Sequence, residues 1–225
     1  IDFGTSNSSL AWVRDNSLQR ASPHVDREVL TFERPDLGAS SGAVSTRLPT
    51  VIGRALRGKG GESLYGWQWI TSLFAPAQGG PARRAAASSP RHGRDFFRSV
   101  KSDLGTYRVY PYAWSADLRT PSRVAGAILR DLLDKARDHG LGGDDLAQAR
   151  AAIGVPAGLS AAAREDTLEA ATLAGLTPGL VELIDEPVAA LADWLNSSEA
   201  AAMLEGGGQR NVLVFDYGGG TLDLA

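Results

Sequence analysis

Across 225 residues the chain carries 23 Lys and Arg against 26 Asp and Glu, a formal net charge of -3, so there is no basic footprint for nucleic acid. It has no cysteine, which excludes disulfides, thiol catalysis and cysteine-ligated zinc, and His24, His92 and His139 stand at no metal-binding spacing. No apolar run approaches a membrane span and no signal-peptide pattern is visible, so a cytoplasmic protein with no membrane partner is expected.

The length suffices for a sizeable core in one or two domains. The chain opens on IDFGTSNSSLAWV, which reads as a strand, a tight polar turn and a second strand over 10–13, with Asp2 at the end of the first. Ile1 already lies inside a strand pattern and no methionine precedes it, so the native N-terminus is expected upstream. HVDREVLTFE predicts one more strand, and RLPTVIG around Pro49 opens a different kind of region. In YGWQWITSLFAP, aromatic and apolar residues fall at helical spacing and predict a packed helix. Residues 77–94 are rich in Gly, Pro, Ser and Ala, with four arginines, and predict a solvated surface loop.

From Thr120 the pattern becomes regular. TPSRVAGAILRDLLDKARDHG has Thr120 as N-cap, Pro121 at the first helical position, an apolar face of Val124, Ile128, Leu129, Leu132 and Leu133, and Gly140 as its stop. ARAAIGVP predicts a buried strand ending at Pro156. SAAAREDTLEAATLAGL predicts a helix capped by Ser160 and closed near Gly175. VELI is another strand, and EPVAALADWL another helix with Pro187 in its first turn. Strands alternating with helices argue for a mixed α/β sheet. NSSEAAAMLEGGGQR reads as a linker, and a lobe boundary is expected there.

Near the other end stands VFDYGGGTLD. The apolar run 212–215 predicts a short, fully buried strand, followed by Gly218, Gly219 and Gly220 between Asp216 and Asp223. Consecutive glycines permit positive φ and let backbone N–H groups approach a ligand with no Cβ in the way. A row of such groups forms an anion site, and flanking carboxylates suit a metal bound to the anion. The first hairpin has the same scheme of strand, carboxylate, Gly/Thr turn and strand. Two such units suggest hairpins facing one phosphate chain from opposite sides.

Three further signals lie between them: Lys101 in VKSDLG, Pro156 and Arg164 in VPAGLSAAAR, and Glu186 in IDEPVAA. Singly, each has an ordinary structural role, as surface lysine, strand terminator, solvent-facing helix residue or helix-dipole partner. As an ordered set, IDFGTSNSS, VKSDLG, VPAGLSAAAR, IDEPVAA and VFDYGGGTLDL resemble the ATPase domain of the seventy-kilodalton heat-shock (DnaK-type) chaperones, and the resemblance spans the chain. It implies an actin/hexokinase-like ATPase fold, a ribonuclease H-like mixed sheet flanked by helices, with the first lobe and only the start of the second. A divergent member is implied, because Asn7, Ser102 and Tyr217 depart from the residues usual there.

The resemblance implies that Gly4, Thr5, Ser6 and Asn7 form the first phosphate turn and Gly218, Gly219, Gly220 and Thr221 the second. Asp2, Asp216 and Asp223 would act on Mg2+ through its waters, Glu186 would position water or metal, and Lys101 would approach the γ-phosphate of ATP. Pro156 and Arg164 match the family's switch, which reports ATP or ADP to a peptide-binding domain. Client polypeptides and co-chaperones are implied as partners through parts outside this sequence. The expected division is an α/β core of 1–44 and 114–196, an insert 45–113, a linker 197–210, and the first strand and hairpin of a second lobe at 211–225. The isolated piece is expected to be inactive, for want of an adenosine-binding wall. An actin-like filament ATPase, a sugar kinase and a non-hydrolysing nucleotide module stand as alternatives.

Overall fold

The structure, a computed structural model, describes residues 1–12, 28–33, 44–54, 62–66, 68–69, 90–141, 148–205, 207, 210–217 and 222–224. In chain order the first strands are β1 (Asp2–Phe3), β2 (Asn7–Ser9), β3 (Ala11–Trp12), β4 (Glu28–Val29), β5 (Phe32–Glu33) and β6 (Val44–Ser45). There follow β7 (Leu48–Pro49), β8 (Val51–Arg54), β9 (Ser63–Tyr65) and β10 (Phe96–Arg98), then a 3-10 turn at Val100–Asp103. The second half holds α1 (Pro121–Asp138), β11 (Ala151–Val155), α2 (Ala161–Ala174), β12 (Val181–Asp185), α3 (Glu186–Leu195) and α4 (Ser198–Leu204). A hairpin of β13 (Phe215–Tyr217) and β14 (Leu222–Leu224) completes the order.

The central sheet runs β12-β11-β1-β2-β7. β12, β11 and β1 are parallel, with Asp2 opposite Gly154, while β2 and β7 turn back antiparallel. Parallel neighbours need a crossover, and α2 supplies the one between β11 and β12. Phe3, Ile153 and Val155 bury their side chains from this sheet. A second sheet, β10-β8-β9, lies in the region expected to differ from the core. The central sheet nevertheless reaches Pro49, a few residues into that region, because β7 pairs with β2.

Helix α1 forms as its sequence dictates. Thr120 accepts a hydrogen bond from the Arg123 N–H, Pro121 stands in the first turn, and Val124, Ile128, Leu129, Leu132 and Leu133 are all buried. Against it packs α2, capped by Ser160 and closed by Gly175 in the left-handed region at φ 102°. The two helices approach closely because Gly126 has no side chain: a Cβ there would lie 2.8 Å from Leu173 Cβ. Arg130 adds a hydrogen bond to the Leu173 carbonyl.

Several expectations are corrected. The second strand of the first hairpin lies at Asn7–Ser9 rather than over 10–13; Ala11 and Trp12 leave the sheet to pair with β4. HVDREVLTFE holds two short strands, β4 and β5, in separate pairings. Of the expected helix YGWQWITSLFAP, Tyr65 ends β9, Gly66, Gln68 and Trp69 are helical, and 70–76 lie outside the described residues, as does most of the loop 77–94. The segment read as a linker contains α4, because Ser197 caps it by accepting from the Ala200 N–H and strong helix formers follow. The run 212–215 is not buried: Leu213 is 74% and Phe215 63% exposed. Among the described residues β13 pairs only with β14, so no third strand covers it.

Candidate active site

The turn between β1 and β2 is held by its own backbone and by a strand forty residues away. A Cβ on Gly4 would sit 2.2 Å from the Asn7 carbonyl oxygen, so only glycine closes this turn. The Ser6 carbonyl accepts from the Thr50 N–H at 2.9 Å. Below it, the buried hydroxyls of Ser8 and Thr50 share a hydrogen bond of 2.8 Å. Because side chains alternate along a strand, Phe3 enters the core while Asp2 faces a cavity.

That cavity is about 570 Å³, and Gly4, Thr5, Ser6 and Asn7 form part of its wall. Lys101, Glu186 and Asp216 border it too, although they come from a 3-10 turn, a helix start and the second hairpin. Lys101 is 7% exposed, and its Nζ lies 2.5 Å from Glu186 Oε1. Asp216 stands opposite Asp223 in the ladder of β13 and β14. The expected second phosphate turn, with Gly218, Gly219, Gly220 and Thr221, lies outside the described residues.

The Lys101 turn is fastened at both ends. Before it, Ser99 takes a left-handed conformation at φ 56°. After it, Gly105, at φ 74°, donates its N–H to Asp166 Oδ2 at 2.7 Å, and a Cβ there would meet the Ala163 nitrogen at 2.6 Å. Asp103 accepts from Arg108 and from the Tyr110 hydroxyl, each at 2.6 Å. Burial, then that hydrogen bond, push the Tyr110 phenol well above its usual range.

Glu186 opens α3 directly after β12. Gly154 lies beside it: a Cβ there would stand 3.4 Å from Glu186 Cγ, in ordinary van der Waals contact. The preceding Asp185 accepts from Arg164 at 2.6 Å, and Arg164 also donates to the carbonyls of Leu159 and Ala157. Arg164 is thus joined to Glu186 through its neighbour, and neither Arg164 nor the buried Pro156 lines the cavity.

Sequence reasoning missed Arg47 and Gly154 in the lining, Thr50 under the turn, and Asp166 and Asp185 as tethers. Only Gly154, next to a strand end, carried a local signal; the others depend on pairings distant in sequence. Among the described residues no three acidic or imidazole side chains cluster to ligate a metal ion.

A family model described as Hsp70 protein matches residues 102–225. Among curated proteins, the chain is 28% identical over 225 residues to the chaperone protein DnaK of Thermotoga petrophila, covering all of this chain and 29% of that protein. It is 32% identical over 196 residues to DnaK of Endomicrobium trichonymphae, covering 84% of this chain and 28% of the relative. With DnaK of Cenarchaeum symbiosum the identity is 31% over 197 residues, 84% of this chain and 27% of the other. The chain thus spans less than a third of the length of these relatives. The family match covers more than half of the residues, so the chain belongs to the Hsp70 family, and its mixed sheet with flanking helices is the actin/hexokinase-like ATPase fold of that family.

Proposed function

We propose that this chain supplies one wall of the nucleotide cleft in an ATP-hydrolysing, chaperone-like switch, acting by in-line attack of water on the γ-phosphate. The observation that carries this reading is that Asp2, Lys101, Glu186 and Asp216, far apart in sequence, border one cavity with the turn at 4–7. Phosphoryl transfer asks a protein for charge neutralisation and positioning rather than covalent work. The N–H groups of the turn and the Lys101 ammonium serve the first need. Glu186, held against Lys101, orients the attacking water and shares the lysine with the phosphate. Asp2 and Asp216, with Asp223, would hold a hydrated magnesium ion, which would supply charge to neutralise the polyphosphate. Carboxylates that border the cavity singly, without a cluster of three among the described residues, suit an ion that keeps its hydration shell.

In this reading the central sheet with α1 and α2 forms the core subdomain, and the sheet of β8, β9 and β10 the insert. Residues 211–225 start a second lobe, and Gly218, Gly219, Gly220 and Thr221 are assigned to phosphate binding. Pro156 and Arg164 carry nucleotide state outward through Asp185, toward client and co-chaperone surfaces beyond this sequence. No helix among the described residues is long and apolar enough to cross a membrane, and the proposed location is cytoplasmic. Phosphate release from magnesium ATP by the full-length protein tests the reading. Release to water with no sugar acceptor and no sedimenting filaments is the expected result; transfer to a sugar, ATP-dependent filaments, or binding without turnover would each replace it with another function.

A further inference from the structure

Among the described residues two cationic side chains border the cavity, and they are not equivalent. Lys101 is engaged by Glu186 at 2.5 Å, whereas Arg47 has no carboxylate partner among the described residues. The two stand at opposite edges of the central sheet. Glu186 follows β12 at one edge and Arg47 precedes β7 at the other, four strand spacings or roughly 19 Å away. The turn at 4–7 belongs to the strands between.

The backbone that presents Arg47 is fixed. Ser45 Oγ accepts from the Arg47 N–H at 3.1 Å and donates to its carbonyl at 3.2 Å. Three residues on, Thr50 donates to Ser6 in the turn. The guanidinium is therefore carried on the same support as the turn itself, so its base cannot drift from the cavity.

The remaining charges point to its ligand. With Lys101 matched by Glu186, the cavity retains the carboxylates of Asp2 and Asp216 and the single guanidinium of Arg47 among its described lining. A polyanion carrying its own cation meets both needs: carboxylates face the cation and the guanidinium takes anionic oxygens. A planar guanidinium presents paired N–H donors matched to phosphate, which a lysine does not.

We propose that Arg47 is a phosphate-binding residue of this cavity, gripping the polyphosphate of magnesium ATP from the β7 edge. The assignment rests on the nucleotide reading above. Calorimetric titration of the full-length wild type, Arg47→Ala and Arg47→Lys with magnesium ATP, at low and high salt, tests it. Arg47 is exposed, so the variants should unfold at the wild-type temperature. R47A is expected to weaken binding by roughly tenfold or more, with a shallower salt dependence, and R47K to recover only part of it. Wild-type affinity in R47A, within twofold, overturns the role of Arg47 and leaves the nucleotide reading standing. Absence of binding in the wild type overturns the nucleotide reading and this assignment together.

Discussion

A lysine 7% exposed with a carboxylate at 2.5 Å is an ion pair taken largely out of water, and each partner makes the other tolerable. Lys101→Ala therefore has two expected effects that must be separated. It should slow ATP hydrolysis by the full-length protein about a hundredfold with little change in affinity, because in the proposed mechanism the ammonium acts on charge developing at the γ-phosphate. It should also cost about 2 kcal/mol of stability in urea unfolding, since Glu186 is left unpaired at 18% exposure. Lys101→Met combined with Glu186→Gln should recover much of the stability and none of the turnover. Stability lost equally in single and double variants would show that the pair is not coupled. Asp131 poses the opposite problem. Burial raises its carboxyl above the ordinary range against the pull of Lys135, and its Oδ2 has no hydrogen-bond partner. The folded state thus holds this proton more tightly than the unfolded chain. Its contribution is full below the ordinary aspartate value and is lost as pH rises through the raised one. Asp131→Asn should then be more stable than wild type at pH 7, with the gain vanishing below about pH 4; a gain independent of pH would refute that origin.

Helix boundaries in this chain were legible where their signals are local. Thr120, Ser160 and Gly175 cap and close α1 and α2 as their sequences imply, since an N-cap hydroxyl or a left-handed glycine acts within one turn. Ser197 is the same kind of signal, but it stands in NSSEAAAMLEGGGQR, which reads as a linker. Its substitution by Ala should cost α4 about 1 kcal/mol and reduce helical circular dichroism. Gly126 decides a contest between terms. Alanine gains about 1 kcal/mol of helix propensity, yet its Cβ would stand 2.8 Å from Leu173 Cβ and 3.1 Å from the Ala170 carbonyl oxygen. Overpacking costs roughly 1–3 kcal/mol, so Gly126→Ala should lower stability overall; a higher melting temperature would mean that α1 and α2 separate freely. What local signals could not show was which surfaces meet. The apolarity of 212–215 gave no account of what covers it, and nothing near Thr50 announced a bond to Ser6. The residues Asp2, Lys101, Glu186 and Asp216 were singled out by motif, whereas Arg47 emerged only from the pairing of β7 with β2.

At the scale of the molecule, the three carboxylates among the described lining of the cavity make it unsuited to a bare polyphosphate. Chelating magnesium with EDTA should weaken ATP binding by the full-length protein at least roughly tenfold, through unscreened repulsion at short range. Equal affinity with and without the ion would leave Asp2 and Asp216 with no part in the site. The parallel pairing of β1 with β11 has a consequence in time. The Ile1 nitrogen bonds the Ala152 carbonyl, 151 residues later in the chain. At ribosomal rates that interval is roughly 8 to 30 s, during which β1 and β2 exist with one edge unpaired. A newborn chain thus holds half a cavity open for that interval and shuts it only when β11 emerges. Nascent chains stopped before Ala151 should leave residues 1–9 open to protease, and chains extended past Asp185 should protect them.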